Sequence, residues 1–267
     1  MKNKIVIVTG ASSGIGKATA LRFAQKGAHL VLAARSVANL NILSEQLTPF
    51  GVEVLIVPTD VSKEADCKNL MDKALEKFGR IDVLVNNAGI SMRAAFADIE
   101  LDVLKKVMDV NFWGTVFCTR YAMASILKSK GSIVGVSSIA GYKGLPGRTG
   151  YSSSKFAMHG FLESVRIENL KNGIHVLIAC PGFTASNIRN TALDANGSVQ
   201  GETPRDEQKM MQPEEVAKAM VTAVEKRKDR LTLTANGKLT VFLNKFFPKM
   251  VDKLVFNHMS KEPGSPF

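Results

Sequence analysis

Short apolar runs that do not alternate with polar residues recur along this chain, at 4–9, 28–34, 52–57, 81–86, 133–137, 174–179 and 230–234. A strand covered on both faces needs no alternation, whereas a half-solvated one does. Between the runs, apolar residues fall at helical spacing over 15–26, 37–47, 62–78, 98–110, 112–130, 151–170 and 213–226. Parallel strands joined through helices make right-handed crossovers. The pattern therefore predicts an α/β fold, a doubly wound and mostly parallel seven-stranded sheet with helices on both faces. No linker interrupts it, so residues 1–237 read as one domain and 238–267 as an extension. The polar, mixed-charge stretch 183–212, with Gly197, Gly201 and Pro204, reads as a lid, since long loops in compact domains are usually functional.

Composition removes several other classes. A hydrophobic content of 45% with 22% charged residues is that of a globular protein with a full core. No apolar run approaches the ~18 residues of a spanning helix, and the block at 5–8 is shorter than a signal-peptide core. Cys67, Cys118 and Cys180 are odd in number and scattered, which predicts reduced thiols and a cytoplasmic protein. Neither they nor His29, His159, His175 and His258 have metal-ligand spacing, so no metal is expected. The net charge of +11 is concentrated between Lys226 and Lys253, where eight Lys or Arg face two Asp. No nucleic-acid recognition motif accompanies this cluster, which points to a solvated face or a membrane surface instead.

The first strand runs into Thr9-Gly10-Ala11-Ser12-Ser13-Gly14-Ile15-Gly16 and then a helix. Glycines let the backbone approach a pyrophosphate, and a helix N-terminus offers free N–H groups and a positive dipole end. Placed between the first strand and first helix, this loop predicts a dinucleotide site. An NAD site carries an acid about 20 residues further on, to bind the ribose 2′-hydroxyl. Here the second strand ends in Ala33-Ala34-Arg35-Ser36, and the next carboxylate is Glu45. Arg35 suits a 2′-phosphate, with Lys17 adding charge, so NADP(H) is favoured over NAD(H).

Tyr151 and Lys155 are four residues apart on a helical pattern and share its face. A neighbouring cation favours the phenolate and brings a tyrosine nearer to useful acid–base chemistry. Ser138 follows the strand at 133–137, and its hydroxyl can orient a carbonyl or alcohol oxygen.

Taken together, the loop 9–16, Asp60-Val61, Asn86-Asn87-Ala88-Gly89, Asn111, Ser138, Tyr151-x3-Lys155 and Pro181-Gly182 resemble the short-chain dehydrogenase/reductase family over about residues 2–224. That resemblance implies a Rossmann fold and a tetrad of Asn111, Ser138, Tyr151 and Lys155. Tyr151 would be the acid/base, Ser138 would hold the substrate oxygen, and Lys155 would tune Tyr151 and grip the nicotinamide ribose. Asn111 would hold a water linking Lys155 to solvent. The cofactor would meet Gly10, Ser12, Ser13, Gly14, Ile15, Gly16, Arg35, Asp60, Val61, Asn87, Ala88 and Gly89. Pro181, Gly182, Thr184 and Ser186 would complete its site. Thr184 and Ser186 replace the family's usual aliphatic-Thr pattern there, and Ser13 takes a position that is often basic in NADP enzymes. The implied activity is reversible hydride transfer between a carbonyl and an alcohol of a small-molecule substrate. The implied assembly is a homodimer or homotetramer, packed through the helices at 112–130 and 151–170. A catalytically silent NADP-binding sensor or scaffold is the alternative, against which the complete tetrad argues; a membrane-surface interaction protein is another. Leu145, Met92 and Phe183 would make the pocket apolar, while Lys143, Arg148 and Arg93 offer charge for an anionic substrate.

Beyond the resemblance, Leu239, Leu243, Phe246, Phe247, Met250 and Leu254 recur at helical spacing, with Lys245, Lys249 and Lys253 as a separate stripe. Pro248 either kinks this helix or starts a second. The pattern over 239–259 fits packing on the core or on another subunit, and also a peripheral membrane contact.

Overall fold

The computed structural model describes residues 1–201, 203 and 206–267; Pro204 of the expected lid lies outside them. Seven strands form one sheet in the order β3-β2-β1-β4-β5-β6-β7, every neighbouring pair parallel. They are β1 (Ile5–Thr9), β2 (His29–Ala34), β3 (Val54–Pro58), β4 (Val83–Asn86), β5 (Ser132–Val136), β6 (His175–Cys180) and β7 (Arg230–Thr232). The sheet is flanked by α1 (Gly14–Gln25), α2 (Val37–Leu47), α3 (Glu64–Phe78), α5 (Gly114–Ser129), α6 (Thr149–Glu168) and α7 (Pro213–Glu225). A shorter α4 (Leu101–Met108) runs into α5 through a π-helical turn, Asp109–Trp113.

Side chains alternate across each strand, so one sheet feeds two cores. Val6 and Val8 of β1 pack with Phe23 of α1, Leu40 and Leu43 of α2, and Met220 and Val224 of α7. Ile5 and Ile7 point the other way, toward Leu70 and Met71 of α3, Ile126 of α5 and Leu162 of α6. Each such side chain contributes roughly 1.5–3 kcal/mol when taken fully from water, which is why both faces must be apolar. Asp82, just before β4, is buried but satisfied: the Ile5 N–H donates to it at 3.0 Å, and Lys4 and Arg80 reach it from the rim.

One close approach fixes the catalytic helix. A Cβ added to Gly135 of β5 would overlap Leu162 Cδ1 and stand 3.3 Å from Met158 Sδ. The glycine leaves room for Leu162 of α6 to pack directly on the strand. β1 pairs with β2 on one side and β4 on the other, so the chain reverses direction across the sheet there. Such a switch point opens a crevice at the strands' carboxyl ends.

The C-terminal stretch forms two helices, not one. Pro248 occupies the first turn of α9 (Pro248–Met259), where its missing N–H costs nothing, and so separates it from α8 (Ala235–Phe246). Thr234 caps α8 by accepting from Gly237 N at 3.1 Å. Val251 and Met259 of α9 are buried, whereas Phe242, Phe246, Phe247, Met250, Leu254 and Phe256 are at least 43% exposed. Among the described residues no helix is long and apolar enough to cross a membrane.

Candidate active site

The crevice is a cleft of about 1550 Å³. Every cofactor-loop and tetrad residue expected from the sequence lines it, except Gly16 and Asn111. At one end, Gly10 has φ +64°, and a Cβ there would press on Ala88 Cα at 2.8 Å. Gly16 sits beneath the loop, where a Cβ would collide with Gly10 O and Asn87 Nδ2. Asn87 braces the turn by donating to Thr9 O at 2.9 Å and Gly10 O at 3.2 Å. Thr9 Oγ1 accepts from the N–H groups of Asn87 and Ala88, tying β1 to the end of β4. Ser13 makes no side-chain cap on α1, so that helix presents uncapped N–H groups to the cleft. A bare backbone cradle at a helix N-terminus suits a dinucleotide's phosphates.

Arg35 lines the same end and is exposed; Lys17 does not line the cleft. Burial opposes ionisation of Asp60, but hydrogen bonds from Ser62 and the nearby Arg35 and Lys63 hold its carboxyl below the usual range. Asp60 stays anionic, and its Oδ1 fixes the turn by accepting from Ser62 N and Oγ.

At the other end, Ser138, two residues past β5, and Tyr151, in the first turn of α6, both line the cleft. Burial pushes the phenol above its ordinary value, while Ser138 and Arg148 pull the other way without reversing it. Lys155 is 3% exposed, donates to Val136 O at 3.0 Å, and lies over the Tyr151 ring, 5.6 Å from its centroid. The i, i+4 spacing brings the ammonium to the face of the ring. Burial lowers it to about 8.

Asn111 is fully buried in the π-helical turn. Its Nδ2 donates to Ile90 O at 3.0 Å and Ser154 Oγ at 2.9 Å, and its Oδ1 accepts from Ile90 N at 2.8 Å. The side chain thus clamps the loop after β4 to the catalytic helix. Thr184 is buried and donates to Gly182 O at 3.2 Å, and Ser186 lines the cleft beside it. Among the described residues no group of His, Cys, Asp and Glu is placed to hold a metal.

Two features escaped the sequence. Behind Ser138, Ser137 Oγ lies 2.7 Å from His159 Nε2, Cys180 Sγ is 3.6 Å from the same nitrogen, and Tyr142 packs edge-on against the ring. Burial lowers His159 to about 4 and lifts Cys180 to about 12, so the cluster is neutral and inert, a wall supporting the serine strand. The second is the cleft's far wall, which comes from α8 and α9: Leu239, Leu243, Leu254, Val255, His258 and Met259 line it. Amphipathic spacing signalled that this segment has an apolar face, but not what it covers.

The cations expected to greet a substrate are engaged by this segment. Lys143 pairs with Asp252 at 2.5 Å, Arg148 with Glu262 at 3.2 Å, and Arg93 donates to Pro263 O at 2.5 Å. Asn244 also donates to Tyr142 O at 3.1 Å. The loop that carries Ser138 toward Tyr151 is therefore strapped down by residues 244–263.

The family model described as short chain dehydrogenase matches residues 4–197. The 11-beta-hydroxysteroid dehydrogenase A of Sesamum indicum is 34% identical over 98% of this chain and 77% of its own length. A short chain dehydrogenase/reductase from Burkholderia phymatum, solved in complex with NAD, superposes with a TM-score of 0.82 at 26% identity, covering 93% of this chain and 95% of that one. An alcohol dehydrogenase from Thermococcus sibiricus, complexed with 5-hydroxy-NADP, gives 0.77 at 27% identity, over 86% and 94%. On the match of the family model, the sheet order and a relative matched over 98% of this chain, this chain belongs to the short-chain dehydrogenase/reductase family.

Proposed function

We propose that the protein is an NADP(H)-dependent oxidoreductase that interconverts a ketone or aldehyde with an alcohol. The observation that carries this is the single cleft joining the glycine cradle to Ser138, Tyr151 and Lys155. The nicotinamide, when bound, supplies the hydride or takes it up. Everything else falls to the chain. Gly10 to Ile15 and the start of α1 hold the phosphates, and Arg35 holds the 2′-phosphate. The Ser138 hydroxyl orients the substrate oxygen, and Tyr151 gives it a proton in reduction or removes one in oxidation. The phenol's elevated value keeps it protonated near neutral pH, which suits the reductive direction. Lys155 holds the ribose and restores charge beside Tyr151. Asn111 keeps the loop after β4 and the catalytic helix in register.

Tyr151→Phe tests the reading. It should reduce NADPH consumption to background over a panel of uncharged ketones and aldehydes, while NADPH titration by fluorescence stays unchanged. A variant that retains turnover would remove Tyr151 as the acid/base. A wild type that binds NADPH but reduces nothing would favour the silent sensor.

We further propose that the outward face of α8 and α9 rests on an anionic membrane surface. Lys238, Lys245, Lys249, Lys253 and Lys261 are exposed around its phenylalanines, and the one carboxylate among residues 238–261, Asp252, is held by Lys143. Two copies meeting through this face would oppose their lysines, whereas acidic headgroups would neutralise them. Self-association then falls to α5 and α6, where Trp113, in the turn before α5, and Phe156 of α6 are exposed; light scattering at micromolar concentration should give a dimer or tetramer.

A further inference from the structure

Two arginines at the substrate end of the cleft act on the Tyr151 phenol, and each already has a carboxylate partner. Arg148 Nη2 donates to Glu262 Oε2 at 3.2 Å, with side chains only 9% and 6% exposed, and its Nη1 faces Met259 Sδ at 3.9 Å. Arg189 Nη2 donates to Glu207 Oε1 and to Thr184 O, both at 2.8 Å. Both glutamates lie beyond residues 4–197, the part the family model covers. Leu145, Phe183, Leu239, Leu243 and Leu254 line the cleft as well, beside polar residues such as Thr240 and His258.

A buried guanidinium without a partner is a strong receptor for carboxylate or phosphate, because its planar fork matches both. Paired in advance, it offers no such attraction, and its carboxylate repels a second anion placed nearby. Displacing Glu262 would also break a buried ion pair, at a heavy cost. We propose that Glu262 and Glu207 are specificity-determining residues: as built-in counter-ions they engage the guanidiniums of the cleft-lining Arg148 and Arg189 that would otherwise receive an anionic substrate group, and so restrict the cleft to uncharged carbonyl compounds. This rests on the oxidoreductase reading for the reaction, but not for binding.

The test separates the two. Calorimetric titration of the full chain, with NADP(H) present, compares benzoate with methyl benzoate. Wild type should bind the ester more tightly. Glu262→Gln should raise benzoate affinity by about tenfold or more while leaving the ester within about twofold. Glu262→Asp should restore exclusion, and adding Arg148→Gln to Glu262→Gln should abolish the gain. In turnover, kcat/KM for 4-carboxybenzaldehyde relative to methyl 4-formylbenzoate should move the same way. If neither aldehyde reacts but the binding preference shifts, the proposed activity fails and the specificity role stands. Equal changes for acid and ester, or none, overturn it. Glu207→Gln, on a half-exposed partner, carries the same test at Arg189 if Glu262→Gln does not fold.

Discussion

Lys155 holds a charge where charge is expensive. Its value, lowered to about 8 by burial against an ordinary 10.5, means that the unfolded chain binds a proton more readily than the folded one between those limits. Stability therefore rises with pH across that window, and below about 8 the folded protein carries the buried ammonium at full cost. Lys155→Met should raise the Tm near pH ~7, by the equivalent of about 1–3 kcal/mol, while losing activity. Thermal unfolding of the two forms at several pH values checks this, and the gap should narrow as the pH passes about 8. Arg35 is the opposite kind of residue, exposed and inexpensive. Arg35→Ala should weaken NADPH binding by about 1.5–3 kcal/mol and barely change NADH, read by fluorescence titration with each cofactor. Equal losses for the two would take Arg35 out of the 2′-phosphate site.

Among the elements, α6 is the one on which the site depends, and its distance from β5 is set by Gly135. Gly135→Ala forces Leu162 off its rotamer or lifts the helix, either costing about 1–3 kcal/mol. The expected result is a lower denaturation midpoint together with reduced turnover, because Tyr151 and Lys155 ride on the helix that moves. The strands and helices of both layers were legible in the sequence: the helix at 37–47 matches α2, and the strand limits differ by a residue or two. Unalternating Val and Ile runs have few other uses. The Tyr151-x3-Lys155 face was equally legible, because helical geometry alone fixes it. What Lys155 touches was not, since its bond to Val136 O depends on a strand 19 residues earlier. Asn111 shows the same limit, its partners Ile90 and Ser154 lying 21 and 43 residues away. The strap from α9 to the loop 142–148 was invisible for a related reason. Asp252 and Glu262 look like any surface acids until the fold brings Lys143 and Arg148 against them.

On the scale of the whole molecule, charge and shape are unevenly distributed. The exposed phenylalanines of α8 and α9 and the lysines around them lie on the outside of a hairpin whose inside lines the cleft. The protein should sediment with vesicles containing phosphatidylserine at low salt and release as salt screens the lysines. It should ignore vesicles of phosphatidylcholine alone. Replacing Phe242, Phe246 and Phe247 with serine should abolish sedimentation and leave the Tm nearly unchanged, because these side chains are mostly solvated already. Binding that survives this change would place the contact elsewhere. The strand order has a further consequence, for time rather than energy. β1 waits for β4, whose pairing joins Val6 to Val83, before its second edge is covered. Contacts so distant in sequence are slow to form. Until they do, the segment from β1 to β3 is a half-sheet whose β1 edge, as well as its β3 edge, is bare. The cofactor crevice belongs to neither half of the sheet; it comes into being only when the two halves join, so the ability to bind a nucleotide should emerge late in refolding, with the final closure of the sheet.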